Sequence, residues 1–155
     1  MSRALDDLSA PMRAKAVEVL ARLTERGVMV AIVDTVRTEQ EHVRNLAKGT
    51  SWTAKSKHLP RKLRGWRASD SDADKSDAID LAPYDTYVYG PGADKLLWDA
   101  TNPVWRVIGE TGESVGLRWG GRWPQRDLGH LELIVAAPKE GVKLALSTPV
   151  DLAQG

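Results

Sequence analysis

Three histidines and no cysteine set the limits on the chemistry this chain can perform. Without cysteine there is no thiolate nucleophile and no sulfur-ligated zinc, so a metal site has to draw on His, Asp and Glu. His58 lies in Ser56-Lys57-His58-Leu59, Asp80 in Ala78-Ile79-Asp80-Leu81-Ala82-Pro83, and His130 opens the apolar run 130–136. An aspartate inside an apolar run is costly to bury unless it is paired, hydrogen-bonded or ligating a metal. Together these residues could supply two imidazoles and one carboxylate, the three-ligand set of a catalytic zinc site that keeps its fourth position open. Each also reads, taken singly, as a half-buried structural residue, and spacing leaves open whether they converge. Asp127, three residues before His130 across a tight turn, would place a carboxylate beside whatever the imidazole holds, which is where a general base belongs. His42 falls among polar neighbours and reads as a surface residue.

The elements that must position these groups follow from periodicity. A helix is expected over 11–26, capped by Ser9, with Met12, Val17, Leu20 and Leu23 on one face and Gly27 as its stop. Val28–Val36 is a β-branched apolar run that suits a strand buried on both faces. Thr38 and Glu41 form a capping box for a helix over 39–48. Arg37 then sits at a strand-to-helix junction, either facing a cleft or as a solvated loop residue. AIDLAP reads as a strand ended by Pro83, and 84–91 as turn-rich. Helical stretches are expected over 93–100 and from Asn102-Pro103 onward, with Val104, Val107 and Ile108. Leu117–Trp123 reads as strand and turn, 130–136 as a strand, and 142–146 as a further strand or a loosely packed tail after Pro138. One α+β domain over 1–155 is the economical architecture.

Residues 50–75 lack periodicity and read as a long surface loop. Its basic half (Lys55, Lys57, Arg61, Lys62, Arg64, Arg67) precedes an acidic one (Asp70, Asp72, Asp74). The alternating carboxylates resemble a calcium loop, but Lys75 stands where an EF-hand needs glycine and Leu81 where it needs glutamate. A solvated acidic loop is the main reading, with weak calcium binding as the alternative. The basic half could lie against an anionic polymer, yet it lacks the stacking residues of a nucleic-acid groove. Trp52, Trp66, Trp119 and Trp123 flank the candidate site and divide between core filling and groove walls. With 155 residues, 22 Lys+Arg against 21 Asp+Glu and a formal charge of +1, the chain is neither disordered nor a globally basic nucleic-acid binder. No apolar run approaches the length of a membrane span, and the N-terminal residues are acidic where a signal peptide is apolar.

The order Ser-x-His, Ala-x-Asp-Leu-Ala-Pro-Tyr, Trp-Gly-Gly-x-Trp and Asp-x-x-His-x-Glu resembles the VanY-like zinc peptidases. That group includes phage L-alanyl-D-glutamate endopeptidases (endolysins) and D-alanyl-D-alanine carboxypeptidases. The resemblance implies a small antiparallel sheet with helices packed on it, the hedgehog/DD-peptidase fold. It implies that His58, Asp80 and His130 bind one zinc, that Asp127 is the general base, and that Arg37 contacts substrate or polarises the scissile carbonyl. Gln40, Ser56 and Trp123 would line the substrate. The gap between His58 and Asp80 is longer than the family's, so 60–75 reads as an insertion. The implied partner is peptidoglycan, with no nucleic acid, no stable membrane association and a monomeric state. The implied setting is the cytoplasm of an infected host cell, with release to the periplasm and wall at lysis. A D-alanyl-D-alanine carboxypeptidase or dipeptidase with the same zinc site, and a non-catalytic wall-binding phage structural protein, are the rival readings.

Overall fold

The computed structural model describes residues 2–49, 56–85 and 95–134. Helix α1 (Ala10–Glu25) is capped by Ser9, whose hydroxyl accepts from the Met12 amide. Its buried stripe is Met12, Ala16, Val19 and Leu23, steps of four, three and four residues that keep to one face of a 3.6-residue helix. Val17 lies off that stripe and is 50% exposed, contrary to the face expected from sequence. Helix α2 (Glu39–Ala47) carries the full capping box, with Glu41 N bonded to Thr38 Oγ1 at 3.1 Å and Thr38 N to Glu41 Oε1 at 3.0 Å. Helix α3 (Val104–Ser114) starts where Asn102 Oδ1 accepts from Val104 N at 2.9 Å.

Four antiparallel strands complete an α+β fold: β1 (Val30–Asp34), β2 (Ala78–Pro83), β3 (Arg118–Trp119) and β4 (His130–Glu132), in the spatial order β1-β2-β4-β3. Helices α1 and α3 share one core with Ile79, Leu81, Trp119 and Leu131. Side chains alternate along a strand, so Asp80, His130 and Glu132 project from the other face of the sheet.

Four further expectations change. Strand β1 lies at the sheet edge, paired on one side only, and Val30–Val33 are therefore half-buried rather than buried on both faces. Residues 95–99 form no helix: Leu96 bridges Tyr84, and Leu97 N bonds Pro83 O, so the described part of the expected 93–100 helix makes backbone contacts beyond the end of β2 instead. The segment 56–75 is turn-rich with a 3-10 turn at Arg61–Arg64, and it is a surface loop only in part: 67–71 are exposed, but other positions turn inward. Ser56, His58, Leu59, Arg61 and Ala73 are buried, because the segment packs over the strand face opposite the helices. His42 is the buried residue of α2, 3% exposed, since α2 turns this position inward while Glu39, Gln40, Val43 and Arg44 face out. The expected turns at 86–91, the possible strand at 142–146 and Trp52 lie outside the described residues.

Candidate metal centre

Asp80 sits in the middle of β2, opposite His130 of β4 on one side and opposite Asp34 of β1 on the other. This row depends on a β-bulge. Val30, Ala31 and Ile32 pair regularly with Pro83, Ala82 and Leu81, and an unbroken register would bring Val33 opposite Asp80. The register instead shifts between Ile32 and Asp34, which puts the carboxylate of Asp34 in line. His58 reaches the row from the turn that crosses above the sheet, where Ser56 Oγ accepts from His58 N at 3.2 Å and Arg37 N bonds the His58 carbonyl at 2.8 Å.

His58 Nε2 and His130 Nδ1 each lie 3.1 Å from Asp80 Oδ1 and 3.2 Å from one another. Four tetrahedral ligands at zinc's Zn–N and Zn–O lengths stand about 3.3 Å apart, so this triangle fits one face of a zinc tetrahedron. The ring tautomers agree. His58 Nδ1 bonds the Thr35 carbonyl at 2.6 Å and His130 Nε2 bonds Glu132 Oε1 at 2.8 Å, so the remaining nitrogen of each ring is free to point its lone pair at a cation. Among the described residues, His58, Asp80 and His130 are the group of three or more side chains able to hold a metal.

The electrostatics describe a site with surplus negative charge. Burial opposes a charge on His130, but hydrogen bonds to Asp80 and Glu132 outweigh it and push the imidazole up to about 10. Burial likewise opposes ionisation of Asp80, and the two imidazoles beside it overcome that and hold the carboxyl well below the usual range. Asp127 is raised, first by burial and then by the charge of Asp80. Its Oδ2 lies 4.0 Å from His130 Nδ1, and its side chain is 38% exposed, so it borders both the donor triangle and solvent. A carboxylate tuned upward beside a metal site is suited to carry a proton.

Close backbone approach makes this geometry possible. A Cβ on Gly120 would lie 2.5 Å from the Asp127 carbonyl and 3.1 Å from His130 Cβ, and one on Gly129 would lie 2.4 Å from the Leu81 carbonyl. Gly120 O accepts from both Trp123 N and Asp127 N, tying the turn that carries Asp127.

The remaining candidates sort as follows. Arg37 is buried and pairs through Nε and Nη2 with Asp34 Oδ2 at 3.1 and 2.7 Å. The Trp123 ring lies 5.0 Å from the His130 ring and is half-buried, a wall of the site. Trp119 is core, with Nε1 on the Leu128 carbonyl, and Trp66 lies 3.9 Å beneath the Arg61 guanidinium. Ser56 bonds the backbone at His58, and Gln40 is exposed on the first turn of α2. Several charges of 56–75 are paired within the protein, and Lys55 lies outside the described residues. Arg61 and Arg64 bind Asp77, Lys62 binds Asp74, and Asp72 accepts from Ala10 N. Asp34 and Glu132 hold Arg37 and His130; the sequence carries no signal for Asp34 and shows Glu132 only as the last residue of Asp-x-x-His-x-Glu, with no role attached. The signal for Glu132 is its i+2 spacing from His130 in a strand, which puts both on one face.

Residues 71–133 match the family described as D-alanyl-D-alanine carboxypeptidase, a stretch that contains Asp80, Asp127, His130 and Glu132 but not Arg37 or His58. No curated protein matches the sequence. Among solved structures, the fold is similar to that of the L-Ala D-Glu endopeptidase ChiX of Serratia marcescens, with a TM-score of 0.50 and 19% identity, covering 83% of this chain and 82% of that one. The resemblance to the VanY-like peptidases thus holds in sequence over 71–133 and in fold over most of the chain.

Proposed function

We propose that this chain is a zinc-dependent peptidase that cleaves peptidoglycan stem peptides at the L-alanyl-D-glutamate bond, in the manner of a phage endolysin. The observation that carries the reading is the triangle of His58 Nε2, Asp80 Oδ1 and His130 Nδ1 with Asp127 at its edge. Bound there, zinc would supply a Lewis acid for the scissile carbonyl and lower the pKa of water towards ~7. Asp127 takes the proton from the attacking water and returns it to the departing amine. Arg37, fixed on Asp34, contributes positive charge to a site whose substrate is rich in carboxylates. Trp123 stands beside the His130 ring and forms one side of the site.

The family match over 71–133 favours a second reading, removal of the terminal D-alanine from the same stem peptide. Defined muropeptides separate the two, since endopeptidase action frees the amino group of D-glutamate whereas carboxypeptidase action releases D-alanine. The wild-type protein is expected to carry one zinc, to lose turnover to a chelator and to regain it with zinc. Asp127→Ala is expected to keep its zinc and lose about 10²–10⁴-fold in kcat/KM, while His130→Ala loses the metal. Wild-type protein without zinc and without turnover on either substrate would sink the peptidase reading.

A further inference from the structure

Glu132 is 6% exposed on β4, and a carboxylate so enclosed is stable only with close partners. It has three. Its Oε1 accepts from His130 Nε2 at 2.8 Å, its Oε2 lies 3.1 Å from Lys57 Nζ, and Arg118 Nη1 stands at 3.7 Å. Lys57 immediately precedes His58, and its ammonium also donates to the Leu133 carbonyl. Glu132 therefore touches one proposed ligand directly and is joined, through one ion pair, to the residue beside the other. It stands outside the donor triangle, on the ring edge of His130 that faces away from Asp80.

The two imidazoles are held differently. His58 Nδ1 makes its hydrogen bond to a neutral backbone carbonyl, Thr35, with the Asp34 carboxylate farther off at 3.8 Å, whereas His130 Nε2 makes its hydrogen bond to a charged carboxylate. A carboxylate both fixes the tautomer and makes the opposite nitrogen a stronger donor. We infer that Glu132 is a positioning residue for the metal centre: it commits His130 to coordination through Nδ1, and through Lys57 it clasps the turn carrying His58 to strand β4. This rests on the zinc reading above. The clasp accounts for why a lysine next to a metal ligand is turned inward, with its side chain 19% exposed, rather than left in solvent.

The test measures zinc affinity by competition with a chromogenic chelator for wild type, Glu132→Gln, Lys57→Met and the double variant. The His130 tautomer in the zinc-loaded proteins is read from ring 15N shifts. Glu132→Gln is expected to bind zinc about 10–100-fold more weakly, as other carboxylate partners of metal-bound histidines do when replaced. Lys57→Met is expected to weaken binding in the same direction by less, and the double variant to lose less than the sum. A merely structural role would lower thermal stability without moving zinc affinity or the ring shifts. If Glu132→Gln folds poorly, Glu132→Asp, one methylene shorter, replaces it with the same expectation. Wild-type affinity and an unchanged Nε2–H tautomer in the variant that folds overturn the inference, with the zinc reading intact. A wild-type protein that takes up no zinc overturns both.

Discussion

Replacing Asp77 with alanine should cost this protein much of its stability, and the reason lies in what the carboxylate holds. Asp77 is 1% exposed; its Oδ1 lies 2.8 Å from Arg61 Nη2, and its Oδ2 lies 2.9 Å from Arg61 Nε and 2.7 Å from Arg64 Nη2. The Ser9 hydroxyl, which caps α1, also donates to it. Its backbone N bonds Lys57 O and its carbonyl accepts from Leu133 N, both at 2.9 Å. One residue thus joins the start of α1, the 3-10 turn, the His58 segment and the end of β4. The two guanidiniums are themselves only 8% and 7% exposed, so alanine would leave two nearly buried cations without their counter-ion. Breaking a buried pair from one side costs about 3–5 kcal/mol, against a total stability of about 5–15 kcal/mol for a domain. With a urea m value of about 2 kcal/mol/M, the unfolding midpoint followed by tryptophan fluorescence should fall by about 1.5–2.5 M. Adding Arg61→Met and Arg64→Met to Asp77→Ala should recover much of the loss, because the uncompensated charge is then gone. The pH dependence supplies an independent check. Burial would raise the Asp77 pKa, but hydrogen bonds from Arg61, Arg64 and Ser9 outweigh it and hold the carboxyl below its usual 3.8. A depressed folded pKa means that the unfolded chain takes up the proton first. The contribution is therefore complete above about pH 5 and is lost as pH falls below about 4. Asp77→Ala should flatten the stability profile in that window. A midpoint shift under about 0.5 M, with no recovery in the triple variant and an unchanged acid limb, would refute the reasoning.

Two further perturbations probe the site's frame. Gly120→Ala puts a methyl 2.5 Å from the Asp127 carbonyl, a backbone atom that cannot turn aside, so the Asp127 turn must shift. The expected result is a stability loss of about 1–3 kcal/mol together with a fall in kcat larger than any loss of zinc, and wild-type kcat would show that the turn tolerates the displacement. Asp34→Ala removes the partner of both Arg37 nitrogens and should lower kcat/KM about 10²-fold with zinc affinity within a few-fold of wild type, as a misplaced positioning group does. Unaltered kinetics would mean that Arg37 does not act from that position.

Local sequence signals were sufficient for much of the frame. The capping box at Thr38 and Glu41, the AIDLAP strand and the helix opened by Asn102-Pro103 depend on neighbours within a few residues, and each forms as its pattern dictates. The donor types were equally legible, since a chain with no Cys and three His offers few metal-binding combinations. Signals that depend on distant partners misled. The 93–100 stretch has helical composition but is drawn into backbone pairing with the end of β2, and His42 has polar sequence neighbours but is buried. Charges in 56–75 looked like a solvated surface because their partners, Asp77 and Glu132, lie elsewhere in the chain.

What the sequence determined by itself is therefore the set of groups, two imidazoles, the carboxylates and one arginine, and the strands and turns that carry them. Which of those groups meet was decided only in three dimensions. The one-residue bulge in β1 moves Asp34 into the Asp80–His130 row, antiparallel pairing sets Asp80 against His130, and the Lys57–Glu132 contact draws the His58 turn onto β4. Strand register has a period of two, so one inserted residue reverses the face of all that follow, and no local pattern records where the partner strand will lie.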